Sequence, residues 1–358
     1  MKNSETKEFK VIGLMSGTSL DGLDVAYCSF QEIDGRWHFE IPAAKTFGYS
    51  SGWKHRLQAA FTADGLTLAE LHTEFGKLIG QLILDFIREY KIQPDLIASH
   101  GHTVFHRPKK GLTLQIGSGA IIAAQTGFTT VCDFRSQDVA LGGQGAPLVP
   151  IGDKLLFDDY DFCLNLGGFS NISYDDKYGL RKAYDICPVN IALNHLAQTI
   201  GFEYDKDGNL AAGGTFRQEL FSALNSLPFY SLNGPKSLGR EWFESEFLPV
   251  ISGSGFPVED QLRTIVEHIA YQISIKTKTK PGGRMLVTGG GAKNKFLLSR
   301  MRELVSQSLI IPDQNIVDFK EALIFAFLGL LRFLGRNNCL ASVTGASRDH
   351  SSGAIYTD

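Results

Sequence analysis

Twice in this chain a strand runs into a polar glycine turn and out into a second strand, and that recurrence narrows the choice of fold more than any other feature. Phe9 to Met15 is an apolar strand, SGTSLDG is a glycine-bearing turn, and Leu23 to Phe30 is a second strand. The pattern returns as Phe162 to Leu166, Gly167-Gly168 and Phe169 to Tyr174, with a further strand over Lys182 to Ile186. Helices separate the remaining strands. Thr67 to Tyr90 reads as an amphipathic helix, with Thr67 and Glu70 as a capping box and Leu71, Phe75, Leu78, Leu82 and Phe86 at helical spacing. Pro94 leads into a short strand over Asp95 to Ser99, and Thr129 to Phe134 reads as another. Pro188 opens a helix that Gly201 closes, and the strand Arg284 to Thr288 ends in Gly289-Gly290-Gly291 before a helix from about Asn294. Such alternation specifies an α/β fold. The halves share no detectable sequence, so this is a repeated architecture and not a sequence repeat. The run LGGQGAPLVP, Leu141 to Pro150, marks a boundary: a first lobe over 1–140, completed by the C-terminal segment 336–358, and a second over 141–335.

Length and charge agree with two lobes. The 358 residues suit two domains, and 43% hydrophobic with 20% charged residues suits a soluble protein with a substantial core. A net charge of −3 points to neither nucleic acid nor an anionic membrane as the main partner. Cys28, Cys132, Cys163, Cys187 and Cys339 are scattered, odd in number and never CxxC, so they read as reduced thiols. The N-terminal MKNSETKEFK lacks the apolar stretch of a signal peptide. The longest apolar run, ALIFAFLGLL from Ala322, is too short to span a bilayer and reads as a buried helix. A cytoplasmic protein is expected.

The glycine turns carry the chemistry. Gly13 to Gly22 holds several glycines and the hydroxyls of Ser16, Thr18 and Ser19, and can direct N–H and O–H groups at phosphate oxygens. It is not GxxxxGK[ST], and it joins two strands where a P-loop would lead into a helix. Asp21 beside Gly22 suits a Mg²⁺ partner. The turn at Asn165 to Asn171 has the same character. The third, Thr288 to Asn294, offers flat backbone to an adenine or ribose. Three such turns over two α/β halves are what an ATP held in a cleft between two lobes requires. His100, His102 and His106 do not form a usual zinc spacing, and no cysteine or further histidine joins them.

The runs VIGLMSGTSLDGLDVA, SHGHTVFHRP, TLQIGSGAIIAAQTGFTTVCDFRSQDVALGGQGAPLVP, PKSLGREWF, VTGGGAKN and VTGAS resemble the anhydro-N-acetylmuramic acid kinase family, from about Val11 to Tyr356. The resemblance implies a two-lobed, actin-like (ribonuclease H-like) fold. It also implies an ATP- and Mg²⁺-dependent kinase that opens the 1,6-anhydro ring with water and phosphorylates O6. Gly17, Thr18, Ser19, Leu20, Asp21, Gly22, Leu23 and Asp24 would then hold the ATP phosphates, with Gly167, Gly168, Gly289, Gly290, Gly291 and Asn294 as further nucleotide contacts. Asp185 matches the aspartate that activates water, and its place after a strand and before a helix suits a general base, although it also suits a helix cap. His100, Arg135, Asp138 and Asn190 would line the sugar. Arginine suits the lactyl carboxylate, and an interdomain salt bridge is the other reading of Arg135. Asp21 and Glu321 would serve the metal, though a carboxylate opening an apolar helix is also favoured by the helix dipole alone. Members of that family often form dimers, so a homodimer joins the small sugar among the implied partners.

Three segments depart from the family's pattern. Asp-Thr-Gly-Pro-Gly-Asn becomes Asp185-Ile186-Cys187-Pro188-Val189-Asn190, HGQT becomes His100-Gly101-His102-Thr103, and Gly-Asn-Leu-Pro becomes Cys339-Leu340-Ala341-Ser342. They leave open a kinase of a different amino sugar or anhydrosugar, or a catalytically weakened nucleotide-binding regulatory module.

Overall fold

A computed structural model describes residues 7–17, 20–232 and 236–357. The chain forms two compact units, Met1–Leu156 with Phe319–Asp358, and Phe157–Asp318. The crossings thus fall at 156/157 and 318/319, where the sequence suggested 140/141 and 335/336. The Gly/Pro run overlaps the first two residues of the helix Val149–Leu156, and that helix stays with the first unit, where a buried ion pair joins Lys320 Nζ to Asp153 Oδ1 at 2.7 Å.

The first unit is built on an antiparallel meander, β1 (Glu8–Ser16), β2 (Gly22–Ile33) and β3 (Arg36–Gly48). β4 (Leu96–Arg107) then lies parallel to β1, and β6 (Thr130–Cys132) parallel to β4. β5 (Leu112–Ile116) folds back on β4, and β12 (Ala354–Tyr356) closes the far edge beside β6. The sheet order is β12-β6-β4-β1-β2-β3.

Helix α1 (Gly65–Tyr90) lays Leu71, Phe75, Ile79, Ile83 and Phe86 into this unit's core, while Leu78 and Leu82 pack only at its margin. Its N-cap is Asp64, which accepts from the N–H groups of Leu66 and Thr67. Thr67 therefore sits inside the first turn, and the expected Thr67/Glu70 capping box does not form. A carboxylate three residues earlier already satisfies the orphan donors.

The second unit repeats the plan. β7 (Phe162–Leu166), β8 (Phe169–Asp175) and β9 (Arg181–Pro188) form the meander, β10 (Arg284–Thr288) runs parallel to β7, and β11 (Ser308–Ile310) parallel to β10. The order β11-β10-β7-β8-β9 matches the first sheet strand for strand along β6-β4-β1-β2-β3. Pro188 ends β9 and does not open the next helix. That helix, α2 (Asn190–Thr199), starts after Val189, whose N–H and that of Ile191 are taken by Gly168 O. α3 (Lys295–Leu304) begins at the N-cap Asn294, whose Oδ1 accepts from Leu297 N at 2.9 Å.

α4 (Gln314–Phe333) carries the chain from the second unit into the first, and Ala322–Leu331 is wholly buried there. Two glycines allow its close seating. A Cβ on Gly13 would stand 2.0 Å from Ala322 O, and one on Gly329 2.4 Å from Ala98 Cβ. Because α4 begins at Gln314, Glu321 lies in its second turn and does not open it, so the dipole account of that residue fails. No helix among the described residues is long and apolar enough to cross a membrane.

Candidate active site

Asp185 lies within β9, facing Asn171 of β8, and the register slips between there and the Ser170–Cys187 pair. Ile186 is the extra residue of that bulge, the kind of irregularity that re-aims a neighbouring side chain. Asp185 caps no helix, since α2 is preceded by Val189 with no side-chain cap. Its Oδ2 instead accepts from Leu238 N at 2.7 Å, while its own N–H donates to Lys236 O at 2.9 Å. Burial pushes its carboxyl up to about 6, and the Leu238 N–H only partly opposes this. A carboxyl tuned to that range is available as a base near neutral pH.

The segment that grips Asp185 was quoted in the sequence without a role. Lys236 donates to Phe229 O at 2.8 Å and stands 4.0 Å from the centre of the Phe229 ring. Desolvation, with Lys276 adding repulsion, draws its ammonium down to about 8. The altered residues after Asp185, namely Ile186, Cys187 and Val189, are fully buried, and Pro188 among them is buried as well. The Cys187 thiol lies 3.3 Å from Ser170 Oγ. The departures from the family pattern in this segment therefore face the core.

The glycine turns of the second unit meet. Asn190 Nδ2 donates to Leu166 O at 3.1 Å, and a Cβ on Gly290 would touch that same Nδ2. Gly289, at φ +83°, and Gly291 press against Leu166 so closely that neither could carry a Cβ in place. Gly167 and Gly168 spend their carbonyls on the first N–H groups of α2. Beside them a cavity of about 450 Å³ is lined by Asn190, Asn194, Tyr204, Asp207, Gly290 and Asn294, among others. Tyr204 and the acid–base pair Lys295–Asp207 went unremarked in the sequence, because 200–208 reads as a plain loop.

A second cluster belongs to the first unit. Gly101, at φ +72°, lets β4 bulge, and His100 and His102 point to different partners. His100 Nδ1 bonds Gly101 O at 3.0 Å, so its Nε2 accepts from Arg135 Nε at 2.9 Å. Burial and the guanidinium hold this imidazole well below its usual range, so it is neutral. Arg135 Nη1 also donates to Gly145 O at 2.6 Å. Desolvation brings Arg135 down to about 10, with Glu321, Cys339 and Asp138 opposing. Asp138 is wholly buried, accepting from Gly145 N and Thr344 Oγ1, each at 2.7 Å. His102 Nδ1 meets Ser16 Oγ at 3.1 Å, which in turn accepts from Tyr49 OH.

In the turn between β1 and β2, Thr18 and Ser19 lie outside the described residues. Leu20 adopts φ 60°, Asp21 is exposed, and Gly22 sits against Phe47 O. Leu23 is buried, and Asp24 accepts from Thr46 Oγ1 at 2.6 Å. The carboxylate within electrostatic reach of Glu321 is that of Asp24. Glu321 is open at its surface, yet the protein packed around it raises its carboxyl, with Arg135 opposing and Asp24 reinforcing.

Two α/β units on one strand plan, each with glycine turns at the ends of its central strands, define a two-lobed actin-like fold. A family model described as anhydro-N-acetylmuramic acid kinase matches residues 9–358. Proteins of that name from Vibrio parahaemolyticus and Vibrio cholerae are 35% and 36% identical, over 97% and 96% of this chain and 98% and 97% of theirs. One from Pseudomonas syringae pv. tomato is 35% identical over 98% of this chain and 99% of its own length. The chain belongs to the anhydro-N-acetylmuramic acid kinase family.

Proposed function

We propose that this chain hydrolyses the 1,6-anhydro bond of anhydro-N-acetylmuramic acid and transfers the ATP γ-phosphoryl group to O6, giving N-acetylmuramic acid 6-phosphate. The observation that carries the reading is Asp185, a carboxylate held at a bulge and tuned to about 6, next to a surface whose substituted neighbours are all turned inward. Water gives its proton to Asp185 while its oxygen bonds to C1. The C1–O6 bond breaks, and O6 takes the phosphoryl group as ADP departs. Burial that raises the carboxyl is what makes it basic enough to accept that proton.

The cavity at Asn190, Tyr204 and Asn294 suits the nucleoside: its size fits a small-ligand site, Tyr204 offers a ring face and the asparagines offer amides. Gly289 to Gly291 bring bare backbone to its edge. His100 and Arg135 serve the sugar, the guanidinium being suited to the lactyl carboxylate. An all-oxygen pair, Asp24 with Glu321, fits a hard cation better than any nitrogen or sulfur set, with the exposed Asp21 nearby in sequence. Bound Mg²⁺ would supply charge neutralisation on the phosphates.

The test is ADP release by the purified protein with ATP, Mg²⁺ and anhydro-N-acetylmuramic acid. Sugar-dependent release is expected, and it should vanish in Asp185→Asn. ADP release indifferent to the sugar would sink the reading.

A further inference from the structure

The C-terminal segment brings a thiol and an imidazole onto the buried Asp138. Cys339 and His350 face each other across an isolated antiparallel bridge, with Cys339 N donating to His350 O at 3.0 Å and His350 N to Cys339 O at 3.2 Å. Residues directly opposite on such a bridge project side chains to the same side. One ligand atom from each of Asp138, Cys339 and His350 lies within 4.8 Å of the other two, and all three residues are buried. Among the described residues no other group of histidine, cysteine and carboxylate comes together in this way.

His350 shows that something is missing from this arrangement. Its Nδ1 bonds the carbonyl of Arg348 at 3.2 Å, which places the ring proton there. Its Nε2 is buried without a hydrogen-bond partner and stands 3.5 Å from Asp138 Oδ1. A lone pair aimed at a carboxylate oxygen gains nothing from that neighbour unless a proton or a metal cation lies between them, and 3.5 Å is long for a hydrogen bond. Metal bonds of about 2.0–2.1 Å at a tetrahedral angle put two ligand atoms about 3.3 Å apart, close to the observed separation.

We propose that Asp138, Cys339 and His350 form a zinc site that fastens the C-terminal segment to the rest of the first unit. Thiolate, imidazole and a single carboxylate oxygen form a set that Mg²⁺ and Ca²⁺ decline and Zn²⁺ accepts. Two ligand charges of −1 offset the dication, so the buried centre is neutral. Binding converts the Cys339 thiol to a thiolate and releases its proton to solvent, and a water takes the fourth position. The outer contacts suit this role: Arg348 O orients the imidazole, and Thr344 Oγ1 holds the coordinating Oδ1 at 2.7 Å. Cys339 itself stands in a segment where this chain departs from its family, so the site is a property of this chain and not of the family's chemistry.

The experiment is metal analysis of the full-length protein, purified without chelator or histidine tag, followed by cobalt(II) replacement. About one zinc per chain is expected after dialysis, with a cobalt–thiolate charge-transfer band in the substituted protein. Cys339→Ser and His350→Gln should each weaken zinc by more than the roughly 10–100-fold that loss of an outer contact costs, and Thr344→Val by about that amount. Since the wild-type measurements need no variant to fold, they decide alone. Wild-type protein with no bound zinc and no cobalt–thiolate band would overturn the site, as would a band that persists in Cys339→Ser.

Discussion

Asp185 concentrates the chemistry in one carboxyl, and its environment fixes how it should answer to pH. Only the ionised form can take a proton from water. With the carboxyl at about 6, kcat/KM should climb as pH rises toward 6 and level off above it. A profile flat down to pH 4.5 would remove Asp185 from the reaction. Asp185→Asn should cost about 10²–10⁴-fold in kcat. Stability should move the other way. The folded-state value is raised above 3.8, so ionisation of this group weighs against folding from about pH 3.8 upward, in full above about pH 6, and that penalty is relieved as pH falls from about 6 toward 3.8. An asparagine carries no such charge and can still accept from Leu238, so the variant's Tm at pH 7.5 should equal or exceed wild type. A lower Tm would show that the carboxylate is structural. At this scale the sequence offered residue types but not partners. Asp185, Arg135 and His100 could be picked out, whereas the bulge at Ile186 arises from pairing with β8 and the grip of Leu238 comes from a segment 53 residues away, and no local pattern records either.

The elements near the site depend on backbones that approach too closely for a side chain. Gly13 lets α4 settle on β1, and the atoms a Cβ would meet are Ala322 O and Ala326, none of which can swing aside. Gly13→Ala should cost about 1–3 kcal/mol, read as a lower denaturant midpoint at unchanged slope. Gly289 stands at φ +83°, and a Cβ there would lie 2.5 Å from Asn165 Oδ1 and 2.9 Å from Leu166 O. Strain of about 1–3 kcal/mol there should displace the turn. Gly289→Ala is therefore expected to raise KM for ATP about tenfold while changing kcat little, and an unchanged KM would separate this turn from the nucleotide. Both glycines stood in runs the sequence marked, and β10 emerged with the bounds expected. β3 did not. Its alternation is broken by Pro42, which an edge strand tolerates at the bulge where Tyr27 pairs with Ala43 and Ser29 with Glu40. α4 was recognised as buried but not in its full length, because its first turns at Gln314–Phe319 are polar and mixed.

On the scale of the whole molecule, the second unit is one continuous stretch of chain and the first is closed only when α4 returns to it. The glycine turn at 289–291, Asn294 and the cavity all belong to the second unit. ATP without sugar should therefore protect amides of 189–194 and 289–297 from hydrogen exchange, and at about 100 times its Kd should add about 2.7 kcal/mol to that unit's stability. Protection confined to other segments would relocate the nucleotide. The two-fold strand plan was legible from the hairpin turns alone. The crossings at 156/157 and 318/319 were not, since glycine and proline content marks where a chain bends and not which core the following helix joins.

The account rests on water attacking C1 while O6 takes the phosphoryl group, and heavy-oxygen water tests this most directly. After turnover of anhydro-N-acetylmuramic acid and ATP in that water, mass spectrometry of the sugar phosphate should find one heavy oxygen at C1 and none in the phosphate. Heavy oxygen in released inorganic phosphate, with the sugar unlabelled and its ring intact, would show an ATPase that neither opens nor phosphorylates the sugar, and would contradict the account.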